Sequence, residues 1–128
     1  MANEKKVLVV DDDPGCRELL VAMARAMGYS VSEAADGLTA VDQACARPPD
    51  LILMDLLMPR MDGCQATATL KTKLPTKNIP IVVCTALSEG PQTKSALEAG
   101  AAEILQKPIT LANIRAALQR YAPLSAQI

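Results

Sequence analysis

Short apolar runs separated by longer amphipathic stretches form the basic pattern of this chain. Three segments, 7–10, 51–54 and 81–84, are apolar without interruption. Strands that are covered on both faces have this composition, so these segments are predicted to be the central strands of a parallel sheet. Segments 29–34 and 103–106 mix apolar with polar residues, and they are predicted to be strands at its edges.

Strands that alternate with helical stretches predict an α/β fold. The two edge strands are the second and the fifth in chain order, which indicates a doubly wound, five-stranded parallel sheet of order 2-1-3-4-5 with right-handed crossovers. We expect one domain over residues 1–128, with a core of about 5–122 and a short C-terminal tail.

Helix-capping signals lie between the predicted strands. Asp13 before Pro14 is a predicted N-cap for the first helix, and Asp36 is one for the second. Asp62 with Gln65 three residues later indicates a capping box for the third. The fourth helix is predicted from about residue 91 to 100, and the fifth after residue 110. The residues that we expect to face the core are Leu19, Leu20, Met23 and Met27, then Val41, Ala44 and Cys45, then Leu70 and Leu74, then Leu97, and finally Leu111, Ile114, Leu118 and Tyr121.

Composition removes several classes of function. The chain has 13 basic and 14 acidic residues and neither Trp nor Phe, so we expect no direct nucleic-acid binding. No apolar run reaches the length of a membrane span and no signal sequence is evident, which predicts a cytoplasmic protein without membrane attachment. Four scattered cysteines and no histidine disfavour a zinc site and indicate reduced structural thiols.

Polar residues follow the predicted strands where each one ends. Asp11 and Asp12 follow the first strand, Asp55 the third, Thr85 the fourth and Lys107 the fifth. Because the carboxyl ends of parallel strands meet at one edge, we expect these side chains to converge there.

Clustered carboxylates repel one another unless a cation lies among them. Oxygen ligands suit Mg²⁺, or Mn²⁺, better than zinc. With an ammonium and a hydroxyl nearby, the arrangement indicates phosphoryl transfer to a carboxylate nucleophile. Asp13 is excluded from the predicted ligands because its N-cap role accounts for it.

Five motifs together resemble the receiver (CheY-like) domain of bacterial two-component response regulators. They are Val-Leu-Val-Val-Asp-Asp-Asp at 7–13, Asp-Leu-Leu-Met-Pro-Arg-Met-Asp-Gly at 55–63, Thr85-Ala86, Gly100-Ala101 and Lys107-Pro108. The resemblance covers nearly the whole chain in the same order and spacing. It implies a flavodoxin-like (βα)5 fold and a phosphorelay function.

The resemblance also implies the partners and the metal ligands. Asp55 would accept a phosphoryl group from a phosphohistidine on a sensor histidine kinase or a histidine phosphotransfer protein. Asp12, Asp55 and the backbone carbonyl of Leu57 would bind Mg²⁺, with Asp11 acting through a metal-bound water. Such a domain catalyses only its own phosphorylation and dephosphorylation, and we expect a monomer or weak dimer.

A conformational switch is the further implication of the resemblance. Lys107 would contact the phosphoryl group, Thr85 would move toward it, and the bond to Pro108 would be cis. Receivers often carry an aromatic residue three positions before the lysine, whereas this chain has Ile104. We therefore expect the signal to reach a downstream protein through Thr85, the fourth helix and its preceding loop.

Three other hypotheses remain open. The first is an unphosphorylated interaction module with the same fold, and the second is an Asp-nucleophile phosphohydrolase. Many such hydrolases place a second carboxylate two residues after the nucleophile, where this chain has Leu57. The third is redox sensing by Cys64, whose predicted place at a helix N-terminus lowers a thiol pKa. We also expect Leu57 and Leu87 to limit attack by water and to slow dephosphorylation.

Overall fold

Five strands and five helices alternate along residues 4–124, which are the residues that the computed structural model describes. The strands are β1 (Lys6–Val10), β2 (Ser30–Ala34), β3 (Leu51–Met54), β4 (Ile81–Thr85) and β5 (Glu103–Gln106). The helices are α1 (Pro14–Ala26), α2 (Gly37–Ala46), α3 (Gly63–Thr72), α4 (Pro91–Ala99) and α5 (Leu111–Tyr121).

The strands form one parallel sheet of order β2-β1-β3-β4-β5, which confirms the predicted topology and both predicted edges. The order of the strands reverses between β1 and β3, where Val10 pairs with Met54. A hydrogen bond of 2.9 Å from the Asp55 N–H to the Val10 carbonyl extends this pairing. The next residues of the two strands therefore leave the sheet side by side.

Helices cover both faces of the sheet. Val7 and Val9 of β1 point into a core shared with α1 and α5, whereas Leu8 and Val10 point into a second core with α2, α3 and α4. Alternate side chains of a strand point to opposite faces, so a strand buried on both sides must be apolar throughout. This explains the three uninterrupted apolar runs.

Carboxylates cap three helices as predicted. The Asp13 side chain accepts a 2.8 Å hydrogen bond from the Cys16 N–H at the start of α1. Asp36 caps α2 in the same way, and Asp62 forms a capping box with Gln65 at α3. Each cap satisfies a backbone N–H that has no partner within its helix.

The predicted inner face of α1 is rotated by about one position. Leu20, Val21 and Ala24 are buried, whereas Leu19 is 56% exposed, contrary to the prediction. Met23 is half-buried at the margin of the core. Packing of Leu20, Val21 and Ala24 against the core leaves Leu19 on the solvent side of the helix.

Three other leucines predicted in the core are also exposed. Leu74 is 80% exposed because α3 ends at Thr72, so that Leu74 follows the helix instead of facing its core. In α4 the buried residues are Thr93 and Ala96, and this phase leaves Leu97 half-exposed. Leu111, in the first turn of α5, is 50% exposed. Cys45, Met27 and Tyr121 are partly buried and pack against the cores, as predicted.

Tyr29 precedes β2 instead of beginning it, and it is buried against α5. Its hydroxyl donates to the Ala122 carbonyl at 2.7 Å. The predicted C-terminal tail lies largely outside the described residues. No helix within residues 4–124 is long and apolar enough to cross a membrane.

Candidate functional site

The carboxyl edge of the sheet brings the predicted site residues together. Asp11 and Asp55 directly follow β1 and β3, and Thr85 is the last residue of β4. Lys107 follows β5, and its N–H donates to the Thr85 carbonyl at 2.7 Å. Each side chain is therefore placed by the end of a strand, where neighbouring ladder hydrogen bonds fix the backbone.

Three carboxylates form an acidic cluster at this edge. Oxygen atoms of Asp11, Asp12 and Asp55 all lie within 4.8 Å of one another. Asp11 is 1% exposed and Asp55 is 7% exposed, whereas Asp12 faces solvent. One side of the cluster is thus dry and the other is accessible to a ligand.

Lys107 provides the positive charge nearest to the cluster. Its Nζ lies 2.7 Å from Asp11 Oδ2 and 3.7 Å from Asp55 Oδ1. Burial alone lowers a lysine pKa, but the hydrogen bond to Asp11 and the charge of Asp55 outweigh it and raise the pKa of Lys107. The ammonium therefore stays protonated. The peptide bond to Pro108 is cis.

The Asp55 carboxyl resists ionisation. Burial, followed by repulsion from Asp11, raises the pKa of Asp55 to about 6, and the charge of Lys107 offsets only part of this rise. One ammonium therefore does not balance the acidic cluster. The donor set of closely spaced carboxylate oxygens fits a hard divalent cation such as Mg²⁺, and it lacks the nitrogen and sulfur ligands that zinc prefers.

Thr85 lies on the side of the site that faces the β4–α4 loop. Its side chain is fully buried, and Oγ1 accepts a 3.2 Å hydrogen bond from the Leu87 N–H. Ile104 is half-buried on the neighbouring strand. Together with Leu87 and Leu97 it lines an open groove of about 680 Å³ between α4 and β5.

At the end of the β3–α3 loop, Gly63 packs closely against the backbone of Asp55 and Leu56. The Gly63 N–H donates to the Leu56 carbonyl at 2.8 Å, which closes the base of the loop. A Cβ atom at Gly63 would lie 2.2 Å from the Asp55 carbonyl oxygen. Leu57, by contrast, has a half-exposed side chain beside the site.

Two arginines without a role predicted from the sequence make contacts between elements near the carboxyl edge of the sheet. Arg17 of α1 donates to the Asp11 carbonyl at 2.8 Å and pairs with Glu33 of β2 at 3.0 Å. Arg60 of the β3–α3 loop pairs with Asp36 at 2.5 Å. The ion pairs with Glu33 and Asp36 join residues 16 and 24 positions apart, and the type of residue alone gives no sequence signal for such a pairing.

The cysteines do not contribute to this chemistry. Burial raises the pKa of the Cys64 thiol, which opposes the hypothesis of redox sensing, and its Sγ lies 3.5 Å from the Gln92 carbonyl. Burial also raises the pKa of Cys84 to about 12. All four cysteines are free thiols.

Comparison with known proteins gives the same picture as the site. The family model described as "Response regulator receiver domain" matches residues 7–119. Sporulation initiation phosphotransferase F of Bacillus subtilis is 36% identical over 126 residues, covering 98% of this chain and 99% of that protein. Response regulator MprA of Mycobacterium sp. (strain KMS) is 38% identical over 122 residues, and the match covers 92% of this chain but only 52% of that protein.

Solved structures agree closely. The receiver domain of sensor histidine kinase PA1611 from Pseudomonas aeruginosa PAO1 has a TM-score of 0.87 and 34% identity, covering 92% of this chain and 97% of that one. That structure contains a magnesium ion coordinated in the active site cleft. Chemotaxis protein CheY4 of Vibrio cholerae also has a TM-score of 0.87, at 30% identity, covering 92% of this chain and 98% of that one. With its fold, its acidic cluster and its relatives in agreement, the chain belongs to the family of response regulator receiver domains of two-component systems.

Proposed function

We propose that this receiver domain accepts a phosphoryl group on Asp55 and uses the modification as a reversible switch. The observation that carries the proposal is the position of Asp55, a nearly buried carboxylate at the end of β3 beside two further carboxylates and one ammonium. A carboxylate whose charge is offset only in part by one shared ammonium costs stability in such a place, which indicates that its chemistry is retained for function.

Asp12, Asp55 and the Leu57 backbone carbonyl are the proposed ligands of Mg²⁺ or Mn²⁺, with Asp11 contributing through a metal-bound water. When bound, the ion would supply positive charge that stabilises the transferring phosphoryl oxygens. Asp11 also holds Lys107 by a 2.7 Å hydrogen bond, close to the oxygens of Asp55. That placement supports the proposed contact of Lys107 with the phosphoryl group.

The proposed donor is a phosphohistidine on a sensor histidine kinase or a histidine phosphotransfer protein. A carboxylate oxygen of Asp55 attacks phosphorus, a P–O bond forms and the P–N bond breaks, and the released imidazole takes a proton. This chain has no histidine and so cannot be the donor. Its chemistry is restricted to its own phosphorylation and dephosphorylation.

The switch is proposed to pass from Thr85 to α4. The Thr85 hydroxyl already contacts the first turn of the β4–α4 loop through the Leu87 N–H. Turning it toward a phosphoryl group on Asp55 breaks that contact and frees the loop. Because Ile104 has no aromatic ring to rotate, the output depends on the loop and helix. The recipient is a downstream protein.

The extent of the match supports one receiver domain across the described residues, since the family model covers residues 7–119. Among the alternatives, the acidic cluster favours phosphorylation over an unphosphorylated interaction module. Leu57 stands where a phosphohydrolase often places its second carboxylate, which favours the switch over that enzyme class.

Phosphorylation by a small donor tests the proposal. The wild type, Asp55→Asn and the matched control Asp13→Asn are incubated with acetyl phosphate and Mg²⁺, and intact masses are measured. We expect the wild type and Asp13→Asn to gain one phosphoryl group with Mg²⁺ but not with EDTA, and Asp55→Asn to gain none. Asn preserves the N-cap at position 13. Failure of the wild type to react would favour the interaction module, and reaction of Asp55→Asn would exclude Asp55 as the acceptor.

A further inference from the structure

The β3–α3 loop contains a strained turn. Arg60 has φ 68°, in the left-handed region, although it is not glycine. The Met61 N–H donates to the Pro59 carbonyl at 2.8 Å, so the chain reverses through a γ-turn centred on Arg60. A γ-turn with a left-handed central residue is rare and energetically unfavourable for an L-amino acid.

Such a conformation persists only where surrounding contacts hold it. Arg60 Nη2 lies 2.5 Å from Asp36 Oδ2. Asp36 is nearly buried at the N-cap of α2, and its other oxygen accepts a 2.8 Å hydrogen bond from the Thr39 N–H. The partner of Arg60 is therefore itself fixed in place.

A second contact lies directly beside this ion pair. A Cβ atom at Gly37 would lie 2.4 Å from the Met61 carbonyl oxygen, so the loop backbone packs directly on the first residue of α2. Two consecutive residues of the loop, Arg60 and Met61, thus meet two consecutive residues at the N-terminus of α2. The contact is specific in register as well as in charge.

We propose that Arg60 is a positioning residue for the metal site. Through its ion pair with Asp36, it holds the β3–α3 loop, which carries Leu57, in its observed conformation. This inference rests on the proposed function, since it assumes that Mg²⁺ binds at Asp12, Asp55 and Leu57. Arg60 itself contacts neither metal nor phosphoryl group.

The sign of the effect distinguishes positioning from simple charge. Removing a cation near an acidic cluster strengthens the binding of Mg²⁺ if only electrostatic attraction matters. Loss of a contact that orders a ligand-bearing loop weakens it instead, because binding must then restrict the loop. Glycine tolerates a positive φ, so Arg60→Gly removes the ion pair without adding backbone strain.

The experiment measures the dissociation constant of Mg²⁺ by amide NMR titration of the full chain. The variants are Arg60→Gly, Asp36→Asn, which keeps the α2 cap, and the double variant, with Arg60→Lys as the conservative replacement. We expect Arg60→Gly to bind Mg²⁺ roughly three- to tenfold more weakly. The double variant should be no weaker than Arg60→Gly, and Arg60→Lys should recover part of the loss. Urea unfolding midpoints should stay close to the wild type for Arg60→Gly.

Each outcome decides a different statement. Unchanged or tighter Mg²⁺ binding by Arg60→Gly would overturn the positioning role while the proposed function stands. Additive weakening in the double variant would show that Arg60 and Asp36 act separately, which also overturns it. If the wild type binds no Mg²⁺, the proposed function fails and this inference fails with it.

Discussion

The ionised form of Asp55 lies in an unfavourable electrostatic environment. Its carboxyl is nearly buried, faces Asp11, and shares a single ammonium with it. Burial and that repulsion raise the pKa of Asp55 to about 6. The folded state therefore binds a proton there more tightly than the unfolded chain does, and ionisation of Asp55 destabilises the fold.

Replacing Asp55 by Asn should stabilise the protein at pH 7 in EDTA, by about 2 to 3 kcal/mol at most. Because the folded state raises the pKa of Asp55, the protonated carboxyl contributes its full stabilisation at pH values below the ordinary carboxyl pKa. This contribution is lost as the pH rises through about 6. The difference between variant and wild type should therefore shrink toward pH 4. Urea unfolding at several pH values measures it, with the exposed Asp42→Asn as control. A variant equally stable or less stable at pH 7 would contradict this explanation.

At the scale of elements, the β3–α3 loop depends on glycine for packing. A Cβ at Gly63 would overlap the Asp55 carbonyl oxygen, whereas the nearest atom to a Cβ at Gly90 would be 3.9 Å away. Gly63→Ala should cost about 2 kcal/mol or more, because the start of α3 must move away from β3. Gly90→Ala, also at the N-terminus of a helix, should change stability much less. Equal losses in chemical unfolding would show that the close approach is unimportant.

A second prediction for the elements compares a buried leucine of α3 with a half-exposed leucine of α4. Leu70→Ala removes a fully buried side chain of α3 and should cost about 2 to 5 kcal/mol. Leu97→Ala in α4 removes a half-exposed one and should cost below about 1 kcal/mol. Thermal or urea unfolding of both variants gives the comparison. A large loss for Leu97→Ala would support the face that the sequence pattern predicted for α4.

The accuracy of the sequence predictions depended on how local each signal is. The strands were predicted correctly because an apolar run reflects burial of that same segment. The caps were predicted correctly because residues such as Asp62 and Gln65 interact with the backbone only three positions away. The rotation of a helix is set by packing between layers, so Leu19 and Leu97 were misplaced. Clustering of the site residues followed from topology alone. Arg17 and Arg60 could not be predicted, because their partners come from other elements.

At the scale of the whole molecule, the Tyr29 side chain connects the residue before β2 with the end of α5 by a hydrogen bond. Its buried hydroxyl donates to the Ala122 carbonyl at 2.7 Å, whereas the Tyr121 hydroxyl donates to Glu103 in a more exposed setting. Tyr29→Phe should cost about 1 to 3 kcal/mol, since it leaves a buried carbonyl without its donor. Tyr121→Phe should cost less. The reverse order in urea unfolding would argue against this connection.

The switch is also a property of the whole molecule. Phosphorylation can shift the conformational equilibrium only as far as its interaction energy differs between the two states. In the proposed switch, the contact that changes is the hydrogen bond from the Leu87 N–H to Thr85 Oγ1, in the loop that leads to α4. A response confined to the acidic cluster would mean that the energy of phosphorylation does not reach that helix.

The most direct test of the central claim is an amide NMR titration with Mg²⁺ and then with beryllofluoride, a phosphoryl mimic, on wild type and Asp55→Ala. In the wild type, Mg²⁺ should shift the signals of Asp12 and Asp55. Beryllofluoride should extend the changes to Thr85, Ile104 and α4, and the variant should show no such extension. No response in the wild type, or the same response in Asp55→Ala, would contradict a phosphorylation switch centred on Asp55.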